Sequence, residues 1–218
     1  MQIIHQVTWQ PAPGRQADTV AAFAAAKKIH ESYGAKVRGF SNLVAGTNSG
    51  RLIYSLTHND WTAFAKFGQA LQADAAWQAL WAGLQGTNPV ATMESNVIAS
   101  VIEETAGSVP AGTGPRVRSF RGYGFDPARR SEAVALLSAQ KKILEAFGGH
   151  IRIGRLEYGG PLVNRISSMG EWADMAAFAA FRDKASTDSA FQAAVAKLSA
   201  AGSPLTLAAV TLSSELPI

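Results

Sequence analysis

The run Ile3-Ile4-His5-Gln6-Val7-Thr8-Trp9 is β-branched and aromatic and ends in the turn cluster Gln10-Pro11-Ala12-Pro13-Gly14, which predicts a first strand. From Asp18, which reads as an N-cap, Thr19, Ala22, Phe23, Ala26, Ile29, His30 and Tyr33 recur at helical spacing up to a stop at Gly34. Val37–Val44 and Arg51–Thr57 read as a hairpin across a turn rich in Gly, Asn, Ser and Thr. A second helix opens at Asp60-Trp61 with Phe64, Phe67 and Leu71 on its apolar stripe. It pauses at 72–74 and resumes from an Asp74 cap through Trp77, Leu80, Trp81 and Leu84. Gly86–Pro89 breaks it, and Met93–Ile102 is the fourth strand, giving the order βαββαβ.

The same pattern then returns. Lys27-Lys28-Ile29-His30-Glu31-Ser32-Tyr33-Gly34 is echoed by Lys141-Lys142-Ile143-Leu144-Glu145-Ala146-Phe147-Gly148, and Asp74-Ala-Ala-Trp77-Gln78-Ala79 by Asp188-Ser-Ala-Phe191-Gln192-Ala193, both at an offset of 114. That period is too long for a solenoid unit of roughly 20 to 50 residues and marks a duplicated domain. The second half reads as strand Val117–Phe125, helix from about Ala128 to Phe147, strands Ile151–Glu157 and Leu162–Met169, a helix from Glu171-Trp172, a cap at Asp188, and strand Leu205–Leu212. Asp60-Trp61 pairs with Glu171-Trp172 only at an offset of 111, so the second hairpin is expected to be three residues shorter. The expected domains are repeat 1 over 1–103, a linker over 104–115 rich in Gly, Pro, Ser and Thr, and repeat 2 over 116–218.

A βαββαβ unit builds a four-stranded antiparallel sheet with both helices on one face, the ferredoxin-like arrangement, and leaves the other face to be covered. The fold class is therefore α+β, two tandem ferredoxin-like repeats whose sheets lie together. The Gly after the first helix, the hairpin, the Asp-Trp or Glu-Trp before the second helix and the Asp-x-Ala-aromatic-Gln-Ala segment resemble the dimeric α/β-barrel superfamily. There, two such units close into a barrel, and here both would come from one chain, as in NIPSNAP-like, chlorite-dismutase-like and antibiotic-biosynthesis-monooxygenase-like branches. The resemblance implies the barrel. It leaves open cofactor-free monooxygenases, isomerases, haem enzymes and proteins without activity, since function does not follow from fold.

Composition narrows this picture a little. A chain of 218 residues, 47% hydrophobic and 17% charged, is folded rather than disordered. No apolar run reaches 18 residues and the first residues have no secretory pattern, so no membrane association is expected and the cytoplasm is the expected compartment. The absence of cysteine removes disulfides, thiolate metal sites and cysteine nucleophiles. The net charge of +4 lies in the second half, where residues 110–218 carry thirteen Lys/Arg against nine Asp/Glu, compared with seven against seven before them. The basic residues are scattered, so nucleic acid is not an expected partner.

Arginines are the main candidate chemistry. Arg118 and Arg121 lie on the first strand of repeat 2, Arg152 and Arg155 on its second and Arg165 on its third, with Arg38 the counterpart of Arg152. Strand neighbours in this fold would let three guanidiniums, Arg121, Arg152 and Arg165, converge on a carboxylate or phosphate. The plainer reading is strand arginines that reach water or pair with Glu157, Glu171 or Glu94. Trp9 and its counterpart Tyr123, with Tyr54 and His5, are candidate walls or proton donors at a barrel mouth. His30 stands where repeat 2 has Leu144 and reads as packing.

The four histidines form no H-x-x-x-H pattern, and the position of the axial histidine in the haem-degrading branch holds Leu80 and Ala194, so no metal or cofactor is expected. Nucleotide-binding loops and the Gly-x-Ser-x-Gly elbow are missing from the sequence. The expected ligand is a small apolar or aromatic acid bound in the barrel, turned over by a cofactor-independent monooxygenase or isomerase. The alternatives are a non-catalytic module with a filled barrel and, third, haem binding. A homodimer through edge strands left open by the duplication is the other expected partnership.

Overall fold

The computed structural model describes residues 1–162 and 165–218. In repeat 1, strand β1 (Ile3–Pro11) leads to helix α1 (Gln16–Ser32), β2 (Lys36–Val44), β3 (Leu52–His58), α2 (Trp61–Ala73), α3 (Ala75–Leu84) and β4 (Ala91–Glu104). Repeat 2 follows with β5 (Val117–Phe125), α4 (Arg130–Ala146), β6 (His150–Tyr158), β7 (Arg165–Trp172), α5 (Met175–Thr187), α6 (Ser189–Ser199) and β8 (Leu205–Glu215). Both first helices stop for one reason. Gly34 and Gly148 adopt φ of 82° and 80°, and their amides donate to the carbonyls of Glu31 and Glu145.

Two expected boundaries are corrected. Asp18 does not cap α1; Arg15 occupies that position, and Asp18 accepts from its guanidinium within the first turn at 2.8 Å. The second helix of repeat 2 does not open at Glu171-Trp172, because those residues end β7. Its cap is Asp174, whose carboxylate accepts from the Ala177 amide as that of Asp60 does from Ala63. The offset of 114 is thus unbroken, and no hairpin is shortened. β7 begins at Arg165 rather than Leu162, positions 163 and 164 lying outside the described residues.

The eight strands form one closed antiparallel barrel in the order β1-β3-β2-β8-β5-β7-β6-β4. Each repeat supplies a four-stranded ferredoxin-like sheet. The sheets do not lie face to face as two layers; they join edge to edge through β2–β8 and β4–β6, and both junctions carry register shifts that help the sheet curve. Closure removes the open strand edges through which an edge-paired homodimer would form. Strand alternation then sorts side chains into two environments. Along β3, Leu52, Tyr54, Leu56 and His58 face the helices, whereas Ile53, Ser55 and Thr57 line the lumen. Repeat 1 has one continuous apolar core between sheet and helices, and repeat 2 has two clusters. Among the described residues no helix is long and apolar enough to cross a membrane.

Candidate functional site

The candidate residues separate into distinct places. Arg121, Arg152 and Arg165 do not converge. Arg121 and Tyr123 face the helices of repeat 2, and Arg152 lies in the lumen. Arg165 opens β7 four residues from Met169, the register partner of Arg152. Arg118 and Arg121 are three positions apart on one strand, an odd separation that sends them to opposite sides, which is why one joins the lumen and the other does not. Much of the plainer expectation for the arginines is realised. Arg38 donates to Glu171 (2.7 Å) and Glu215 (2.6 Å), Arg152 to Glu104, Arg155 to Glu157 and Arg51 to Glu94.

His5, Trp9 and Tyr54 do come together, but outside the barrel rather than at its mouth. They line an apolar cavity of about 210 Å³ between the sheet and helices of repeat 1. β1 and β3 supply one wall; Phe23 and His30 of α1, Phe67 of α2, and Trp77 and Trp81 of α3 supply the other. Trp77 and Trp81 stack with ring centres 5.5 Å apart, and His30 packs at 4.6 Å from Trp77 and 5.3 Å from Phe67. The lining contains no Lys, Arg, Asp or Glu among the described residues, so the cavity offers no charged partner to a strong anion.

The polar groups in this cavity are few and tied to one another. His30 Nδ1 lies 2.9 Å from the Tyr54 hydroxyl, and His5 Nε2 donates to Asn96 Oδ1 at 2.6 Å. His30 Nε2, His5 Nδ1 and, behind Phe67, His58 Nε2 are buried without hydrogen-bond partners among the described residues. Burial, aided by the neighbouring His5 and His58, lowers the His30 pKa to about 4, and burial with His5 nearby does the same to His58. Burial also lowers His5, against its bond to Asn96. Burial and Glu31 push the Tyr54 phenol upward. At neutral pH the site therefore holds neutral imidazoles able to accept a proton, and a phenol that stays protonated.

Repeat 2 does not reproduce this chemistry. At the same offset of 114, His30, Tyr54, His5, Asn96 and Trp81 become Leu144, Ser168, Ser119, Val210 and Val195. The structural aromatics persist: Phe64 and Phe67 correspond to Phe178 and Phe181, and His58 to Trp172, which stacks on Phe181 at 4.8 Å. His30 and Asn96 were not among the sequence candidates. Their signal lay in the difference between the two copies, which a search for shared residues passes over.

Haem, which the fold's relatives raise, does not fit these residues. The repeat-1 cavity lies below the roughly 300 to 1,000 Å³ of sites that enclose drug-sized ligands. Repeat 2 offers no histidine to its own helix–sheet cleft, since His150 Nε2 sits 3.1 Å from the Gly107 carbonyl. Among the described residues no group of three or more His, Asp or Glu is arranged to hold a metal ion.

This architecture is the tandem form of the dimeric α/β barrel, both halves supplied by one chain. The chain superposes on a candidate monooxygenase of Lactobacillus acidophilus with a TM-score of 0.66 at 9% identity, covering 99% of this chain and 93% of that one. An anthrone oxidase-like protein gives 0.65 at 14% identity, with 99% and 91% covered. A mutant chlorite dismutase of Candidatus Nitrospira defluvii gives 0.55 at 12%, with 99% and 91% covered. At such identities the likeness is one of fold. No family model and no curated protein matches the sequence.

Proposed function

We propose that repeat 1 binds a small, flat aromatic molecule with an activated C–H or hydroxyl group in its helix–sheet cavity, and oxidises it with dioxygen without a cofactor. The observation that carries this reading is the pairing of an apolar aromatic enclosure with a buried neutral His30 whose Nε2 has no partner. The fold-level likeness to candidate monooxygenases and an anthrone oxidase-like protein supports the reaction class. In the working tautomer His30 Nδ1–H donates to the Tyr54 oxygen, leaving Nε2 as the base. It removes a proton from an activated CH₂ group, and the carbanion gives its electron pair to dioxygen, forming a C–O bond. The protonated His30 returns the proton to the peroxide. Loss of the second C–H proton then breaks the O–O bond, so CH₂ and O₂ become C=O and H₂O. The dry, aromatic walls orient the substrate and keep water from the carbanion.

The test is oxygen uptake with anthrone and hydroxynaphthalenes, alongside ligand binding by tryptophan quenching. His30→Leu, the residue repeat 2 carries, is expected to lower turnover about 100-fold or more while still binding. Because the base must be deprotonated, kcat/KM should fall on the acid side near pH 4 rather than near 6.5. Equal turnover in His30→Leu, or no binding of any such compound by the wild type, refutes the reading.

A further inference from the structure

The inner face of the same sheet carries a second arrangement, unrelated to the aromatic cavity. One end of the lumen opens as a polar cavity of about 420 Å³, lined by Lys36, Arg38, Arg118 and Arg152 together with Glu104 and Glu171. A deeper lumen cavity of about 200 Å³ shares Arg118, Arg152 and Met169 with it. The carboxylates are already engaged: Glu171 and Glu215 by Arg38, and Glu104 by Arg152. Burial pushes the Glu171 carboxyl up, but Arg38, Arg118 and Arg152 together hold it below its ordinary value, so it stays ionised.

Arg118 is left over. Its residue is 3% exposed and its guanidinium carbon lies over Phe40, 3.7 Å from the ring centre. It makes no hydrogen bond or ion pair among the described residues, and its buried Nε has no partner; neither does the buried Nη2 of Arg38. Burial lowers its pKa to about 10, which still leaves it a cation at neutral pH. A buried unpaired charge is strongly unfavourable. The fold does not demand one here, because the equivalent position in repeat 1 is Ile4, which also lines the lumen. Four cations face three carboxylates, with free guanidinium donors, a solvent-open mouth at Gln2 and 105–107, and the hydroxyls of Ser55 and Thr57 nearby.

We infer that the lumen is an anion site, in which Arg118, with the free edge of Arg38, binds a small oxyanion of the carboxylate or phosphate kind. The planar fork suits two oxygens of either group, and the bound charge compensates a buried guanidinium that has no ion-pair partner among the described residues.

The experiment is thermal shift and calorimetric titration at matched ionic strength in chloride, with sodium phosphate in one arm and sodium acetate in the other. The wild type is expected to gain a saturable stabilisation in at least one arm, and the stronger arm names the ligand's acid group. Arg118→Met, close in length and uncharged, is expected to be at least as stable without anion and to bind about tenfold more weakly or worse. Arg118→Lys keeps the charge but loses the fork, so its binding should also weaken, and it serves if the Met variant does not fold. A wild type that responds to neither anion beyond chloride overturns the inference, as does undiminished binding in the folded variants.

Discussion

At the scale of single residues, the three histidines around Phe64 and Phe67 are neutral because they are buried, and that has a measurable consequence. The folded pKa values of His30 and His58, about 4, lie below the ordinary 6.5, so the unfolded chain takes up protons first as pH falls. Their contribution to stability is complete above about pH 7 and is lost as pH drops from 6.5 toward 4. The lowered carboxylates, such as Glu171 and Glu157, lose theirs only below their ordinary values near 4.5, so the interval from 6.5 to 5 isolates the imidazoles. The urea midpoint of the wild type should fall across that interval, and that of a variant lacking His30 and His58 should fall less, by what the remaining His5 contributes. An equal fall in both would assign the effect elsewhere. In the sequence these residues are hard to see, because a histidine on an apolar helix face looks like packing until the residues opposite it are known. Arg118 is hidden by parity: one residue of strand register decides whether a guanidinium enters the lumen or faces the helices, and no local pattern near Val117 sets that register.

Secondary-structure elements were far more legible, since their signals are local. The caps illustrate this. Asp60, Asp74, Asp174 and Asp188 each accept from the amide three residues on, at 2.6 to 2.9 Å, and start four equivalent helices. Replacing any of them by Ala should cost about 1 kcal/mol, within roughly 0.5–2. Asp74 should lie at the upper end, because its carboxylate also accepts from the Tyr33 hydroxyl at 2.7 Å. Equilibrium urea denaturation measures this, and unchanged stability in all four would mean that water satisfies those amides equally well. Asp174 is masked in the sequence because Trp172 imitates Trp61: an acidic residue followed by Trp occurs in both halves, but only Asp60-Trp61 begins a helix, whereas Glu171-Trp172 ends a strand. The side chain of Trp172 fills the place of His58, a correspondence visible only once the strand register is fixed.

On the scale of the whole molecule, the duplication predicted the two sheets, and it was the resemblance to the dimeric α/β-barrel superfamily, rather than any local pattern, that implied their closure into one barrel. Periodicity reports which faces are apolar, and both a stack of two sheets and a closed barrel satisfy that. Closure depends on long-range pairing, as between Phe40 and Glu215 or Glu104 and Arg152, for which a sequence carries little local trace. The shared ladders make the repeats mechanically one unit. Urea unfolding followed by tryptophan fluorescence, which samples mainly Trp9, Trp61, Trp77 and Trp81 of repeat 1, should therefore coincide with unfolding followed by circular dichroism of the whole chain. Two separated transitions would show that the halves melt independently.

A barrel assembled from two identical chains must obey a twofold axis, so every side chain appears twice and every substitution is made in duplicate. Covalent union of the halves lifts that obligation. Under symmetry, an arginine at position 118 would oblige another in place of Ile4, doubling the unpaired charge in one lumen, and the His30–Tyr54 pair would have to be repeated opposite itself. Joined in one chain, the halves can specialise: one keeps the polar groups of an aromatic cavity, and the other keeps the packing.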